Sequence, residues 1–228
     1  MLVSLSTMIA VLLLLLIPGV RKPASTQVSI ASGESTPQAQ VSLSAPKLLG
    51  STGRLYLDGP VPISTAHYSP TPAGDPLLPS SDEFTSVQWV NGLGVPPSRA
   101  EDGTVYLIGH AWSHGAYALT PLSGFVTARA DLTHPVIHSG TGSHAHGGVL
   151  RYPVIVPHPS PTLTLVDNAG TSTAWRVTDI FLMNKDETMD DKELFGASLP
   201  GRLVLLTCAV AGGMDLHYNV VIVATIVR

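Results

Sequence analysis

The chain has 228 residues and a formal net charge of −4; 44% of the residues are apolar and 12% are charged. This length and apolar content suit one folded domain with accessory segments, and the charge balance leaves no basic footprint for nucleic acid. Nineteen prolines and 21 glycines, with Val, Thr, Leu and Ile plentiful and Lys and Glu sparse, argue against long helices and for short strands.

In chain order, residues 1–22 open with MLVSLSTMIAVLLLLLIPGV and carry no charge before Arg21. About 20 apolar residues cross a bilayer as a helix, so this stretch reads as an N-terminal membrane anchor, with a signal peptide cut near Ala24 as the alternative. Arg21 and Lys22 follow the apolar run, the reverse of what the positive-inside rule asks of an exported domain. Residues 23–48 are rich in Ser, Ala, Pro, Thr and Gln and read as a flexible stalk. The folded domain is expected over 49–228. RLYLDGPVPI (54–63) reads as a first strand, residues 64–83 as a proline-punctuated loop, and TSVQWV (85–90) as a weakly alternating strand. GTVYLIGHAW (103–112) is a buried strand, and SGFVTARA (123–130) is a strand or a short helix.

The Gly- and His-rich stretch THPVIHSGTGSHAHGG (133–148) comes next, then LRYPVIVPHPSP. In 162–183 two β-branched runs flank Asp-Asn-Ala-Gly, the strongest hairpin signal in the chain. KDETMDDKELFG (185–196) is acidic and helix-like. RLVLLTCAV and YNVVIVATIV are two apolar strands joined by the ten-residue interval AGGMDLHYNV. The pattern predicts an all-β or mostly β barrel with short strands, one domain from about 49 to 228.

Cys208 is the only cysteine, so no intramolecular disulfide is available. A single thiol in an exported chain is an intermolecular partner, a buried inert group or a reactive one. A reactive thiol needs a group that helps form the thiolate, usually histidine, and donors for a tetrahedral oxyanion. LIGHAW places His110 directly after one buried run, and LVLLTC places Cys208 at the end of another. Neighbouring strands that end on one rim would bring the two side chains together.

LLTC followed by YNVVIVA resembles the sortase signature, and GTVYLIGHAW resembles the sortase catalytic-histidine strand. The preceding stretch, PLLPSSDEFTSVQWVNGLGVPPSRAEDG, resembles that of actinobacterial members, most nearly the single-anchor classes E and F. The resemblance covers roughly residues 49–228. It implies a mostly β fold, a closed sortase-type barrel of about eight strands with short helices and long loops, and a membrane-tethered, extracytoplasmic cysteine transpeptidase. Such an enzyme cuts an LPxTG-like C-terminal sorting signal on surface-protein substrates. It passes the acyl group from the thioester to an amine acceptor of a cell-wall precursor or a pilin, with no cofactor. Carried over, Cys208 is the nucleophile and His110 the acid or the thiolate's partner. Thr207 holds the substrate or the oxyanion through its hydroxyl or backbone.

The chain departs from the family where the last strand usually begins with an arginine. The aligned residue here is Asn219, and no arginine lies between Cys208 and Arg228. An asparagine amide donates hydrogen bonds but carries no charge and no guanidinium fork. Asn219 is therefore expected to take the oxyanion-facing role, with Arg129, Arg151 and Arg176 as other sources of a cation. Arg202 is too far along its strand.

Other features have plainer readings. His114 reads as a solvated loop residue and Trp112 as a half-buried strand residue. His134, His138, His144 and His146 raise a metal site, but an exposed inserted loop is the simpler account and no metal is expected. The run Asp186, Glu187, Asp190, Asp191 and Glu193 reads as a solvated face. The missing arginine also supports a second class of function, a catalytically degenerate sortase-like binding or scaffolding protein on the cell surface. A generic secreted cysteine hydrolase, with water as acceptor, is the third.

Overall fold

The computed structural model describes residues 48–60, 63–74, 79, 84–142 and 144–228. The anchor and stalk expected over 1–47 lie outside the described residues. Among those described, no helix is long and apolar enough to cross a membrane.

Ten strands form the described framework. They are β1 (Gly53–Leu57), β2 (Ile63–Pro72), β3 (Ser86–Gly94), β4 (Val105–Gly109), β5 (Val136–His138), β6 (Val149–Val154), β7 (Thr162–Asp167), β8 (Ser172–Asn184), β9 (Arg202–Ala211) and β10 (Met214–Ile226). Two short helices interrupt them, α1 (Thr120–Thr127) and α2 (Lys192–Phe195), and a 3-10 helix spans Lys185–Asp190. The sheet runs β10-β9-β4-β3-β2-β1-β7-β8, and pairing of β8 with β10 closes it into a barrel of eight strands. β6 pairs with the C-terminal half of β8 outside the closed circuit, and β5 pairs with β6.

Side-chain alternation sorts the apolar residues onto two faces. Leu55, Tyr68, Val87, Leu107, Leu165, Trp175, Leu205 and Ile222 fill the barrel interior. A second cluster lies on the other face of β4, β8, β9 and β10, formed by Tyr106, Ile108, Phe181, Met183, Val204, Leu206 and Val221, with Val149 and Leu194 packed against it. These four strands are buried on both faces, which is why VYLI, IFLM, LVLL and VVIV read as unbroken apolar runs.

Two sequence expectations change. The proline-rich stretch assigned to a loop is, over its first half, strand β2. β2 pairs with β1 only as far as Tyr68↔Gly53, while its parallel pairing with β3 continues to Pro72↔Asn91. Past Tyr68 it has one bonded edge, so Pro70 and Pro72 cost no ladder on the open side. The ten-residue interval after β9 is in fact a tight hairpin. Gly212 and Gly213 take φ of 55° and 77° and turn the chain between Ala211 and its partner Met214, with a bulge before Asn219. Positive φ at both central residues suits the twist of a two-residue hairpin, and glycine reaches it without strain. SGFVTARA resolves as part of α1, with Pro121 in its first turn.

Candidate active site

The parallel pairing of β4 and β9 positions the site. Val105 faces Leu203, and the register holds to Ile108↔Leu206. Parallel strands end at the same rim, and two residues past the last paired rung lie His110 and Cys208. On the other side of β9, Cys208 is the direct antiparallel partner of Asn219. Asn219 is in turn opposite Met183, and Met183 is opposite Arg151. One row therefore crosses β6, β8, β10 and β9 and ends at the thiol. Adjacent positions in such a row are about 5 Å apart.

Gly109 explains how β4 stops where it does. A Cβ there would lie 2.6 Å from Leu119 Cδ1 and 3.3 Å from Val87 Cγ2, so only glycine lets the chain leave the barrel at this point. His110 follows it half-buried, its ring 5.8 Å from Phe84 and 5.9 Å, edge-on, from Tyr117. Its carbonyl accepts from Leu119 N at 3.3 Å.

Cys208 is half-buried and has a free thiol. Because β4 has ended, β9 lacks a strand partner on that side at 208–210. Ser123 of α1 takes its place: its hydroxyl donates to the Cys208 carbonyl at 2.7 Å and accepts from Val210 N at 3.0 Å. Ser123 is fully buried. Sequence reading did not single it out, although Thr-Pro before Leu122 is a helix-start signal.

The thiol opens into a cleft of about 250 Å³ lined by Pro79, Ile108, Gly109, Lys185, Asp186, Thr188, Met189, Leu206, Thr207, Cys208 and Asn219. His110 stands on the rim beside Gly109 and is not part of that lining. Thr207 lies between the interior residues Leu205 and Ala209, and its hydroxyl is buried without a hydrogen-bond partner. Asn219 donates from Nδ2 to Thr188 Oγ1 at 3.0 Å, and Thr188 donates to the Asn184 carbonyl at 2.9 Å. The asparagine thus ties β10 to the 3-10 wall of the cleft and keeps one further amide hydrogen.

The arginines considered for the site are committed elsewhere. Arg202 is buried and donates to the carbonyls of Glu193, Leu194 and Ala197 behind α2. Arg151 makes a two-pronged bond with Asp191, at 2.7 and 2.8 Å, and lies over the Phe181 ring. Arg129 stacks on Phe125. Arg176 pairs with Thr225, six residues along β10 from Asn219.

The acidic run is solvated only at Asp186 and Glu193. Asp191 is fully buried, bonds Arg151 and caps α2 through Glu193 N and Leu194 N. Glu187 accepts from Leu150 N at 3.2 Å, and Asp186 bonds His217 at 3.0 Å. The histidine-rich stretch packs against this run. His144 Nε2 lies 3.2 Å from Asp190 and His146 Nε2 lies 3.4 Å from Glu187, both poorly aligned for hydrogen bonds. His138 bonds Glu193 at 3.0 Å, while the exposed His134 bonds only its neighbours Asp131 and Thr133. Among the described residues no group of three such donors is arranged to hold a metal ion. Trp112 is 41% exposed and meets His114 edge-on at 5.6 Å, both outside the cleft lining.

No family model and no curated protein matches the chain. Several solved sortase structures are similar in backbone outline. Sortase C-1 from Actinomyces oris is 14% identical, with a TM-score of 0.45 over 76% of this chain and 73% of that one. Sortase C1 of GBS Pilus Island 1 is also 14% identical, with a TM-score of 0.45 over 79% and 68%. Sortase A from Listeria monocytogenes is 11% identical, with a TM-score of 0.41 over 77% and 88%. What the residues of this chain define by themselves is a cleft lined by a free thiol on a closed eight-stranded barrel, with His110 at the matching position past the neighbouring strand.

Proposed function

We propose that the chain is a sortase-type cysteine transpeptidase. The observation that carries the reading is the parallel β4–β9 register, which sets His110, just past the end of β4, and Cys208, within β9, at matching positions two residues beyond the last paired rung. The Cys208 thiolate attacks the threonine carbonyl of an LPxTG-like signal. The Thr–Gly C–N bond breaks as His110 gives its proton to the leaving amine, and a C–S thioester remains. An acceptor amine from a cell-wall precursor or a pilin attacks that thioester and gives its proton back to His110, a C–N amide bond forms, and the sulfur leaves as thiolate. The remaining amide hydrogen of Asn219 and nearby backbone N–H groups hold the oxyanion. The apolar floor made by Ile108 and Leu206 takes the side chains of the signal. In this reading residues 1–22 tether the enzyme to the membrane, 23–48 are the stalk, and 49–228 work outside the cytoplasm, as in the single-anchor actinobacterial classes.

The test incubates the full chain with an LPxTG-type peptide with and without an amine, and follows intact mass. The expected result is a mass gain on Cys208, release of a Gly-containing fragment, and faster release with the amine. Cys208→Ala should show none of these. Peptide cleavage unaffected by Cys208→Ala would overturn the reading. One observation favours a second reading, a degenerate sortase-like binding protein: among the described residues no arginine lines the cleft. It predicts peptide binding with no thioester.

A further inference from the structure

Among the described residues, the acidic groups around the cleft each face a partner. Asp186 is bonded to His217, Glu187 and Asp190 face His146 and His144, and Asp191 and Glu193 hold Arg151. The polar neighbours Asn219 and Thr188 are bonded to each other. Lys185 lines the same cleft as Cys208, is half-buried, and has no ion pair among the described residues. It is the only Lys or Arg in the described lining. Its apolar neighbours there are Ile108, Leu206, Met189 and Pro79. Asp186 shares the lining but is bonded to His217, so the Lys185 ammonium has no carboxylate in ion-pair contact among the described residues, an arrangement suited to an anionic ligand.

The register gives the geometry. Asn184, the residue before Lys185, is opposite Tyr218, and Cys208 is opposite Asn219 one position further on β10. Lys185 thus stands two strands across and two residues along from the thiol, roughly 12 Å away at strand spacing and rise. A lysine side chain together with a glutamate or aspartate side chain covers that span. The matching carboxylate sits on a residue one or two positions before the acylated carbonyl.

We infer that Lys185 is a specificity residue that takes a carboxylate side chain of the peptide acylating Cys208, so that the preferred substrate is an acidic peptide. This rests on the transpeptidase reading for the acylation but not for the binding, and the test separates the two. Peptides of the form LPxTG carry Glu, Gln or Lys at the variable position, all with amidated C-termini. A fourth carries Gln and a free C-terminal carboxylate. Binding is measured on the full chain bearing Cys208→Ala, and acylation on the chain with its thiol intact.

The Glu peptide should bind about tenfold more tightly than the Gln peptide, the effect of roughly one well-placed charge pair. Lys185→Glu should turn the preference toward the Lys peptide, and Lys185→Met should level it; circular dichroism confirms that both variants fold. The same order of peptides in Lys185→Glu as in the parent would overturn the inference. A free-acid Gln peptide matching the Glu peptide would overturn the side-chain assignment. Charge-selective binding that Lys185→Glu inverts, with no acylation of the intact thiol, would uphold carboxylate recognition and sink the transpeptidase reading.

Discussion

At the scale of single residues, Ser123 is the least obvious member of the site. It is buried and bridges the carbonyl of Cys208 and the amide of Val210, the two groups that lose a strand partner when β4 ends. Ser123→Ala leaves both without a partner, a loss of about 1–3 kcal/mol that chemical denaturation should register. On the proposed transpeptidase reading it should also slow acylation more than it weakens peptide binding, because the carbonyl it holds belongs to the proposed nucleophile. Asn219→Ala removes the tie to Thr188 and the remaining amide donor. Removing one oxyanion donor typically lowers kcat by 10²- to 10³-fold, and single-turnover thioester formation is the measurement. Cys208 and His110 were singled out because each follows an apolar run, and Asn219 only because it aligns with the arginine position of the family the sequence resembles. Ser123 was not, because its role depends on where a different strand stops.

At the scale of elements, the loops hold most of what the sequence concealed. The acidic and histidine-rich stretches each read as solvated when taken alone, and they are one another's partners in the fold. Only the pairing of β6 with β8, which brings 139–149 beside 185–193, makes that visible. The buried Asp191 is the centre of this packing. Asp191→Ala leaves Arg151 with only the exposed Glu193 and uncaps α2, and should cost about 3 kcal/mol in denaturation experiments. The hairpin between β7 and β8 was legible from its turn residues, and its first residue does further duty. Burial pushes the Asp167 carboxyl up, but bonds from Gly50, Thr171 and Ala169 outweigh this and hold it below the usual carboxylate range. A carboxyl held low in the folded chain adds stability above its unfolded value of about 3.9, and that stability fades as pH falls through the folded value. Asp167→Asn should therefore flatten the fall in Tm between about pH 4 and pH 2.

At the scale of the whole molecule, closure of the barrel turns two segments about 100 residues apart into one site. The sequence showed buried runs and their endings, which is enough for a mostly β barrel. It did not show that β4 and β9 are parallel neighbours, since pairing partners across such separations leave no local mark. Lys185 escaped notice for a related reason: it is ordinary in a polar loop and distinctive only once its neighbours are seen to be paired. The central claim is that the His110 imidazole and the Cys208 thiol act on each other at the common rim. The most direct measurement is the rate of alkylation of Cys208 by iodoacetamide across pH 5–9, in the full chain and in His110→Ala. Coupling predicts that the native profile departs from a single ionisation curve and that His110→Ala restores one. Superimposable profiles would contradict the account.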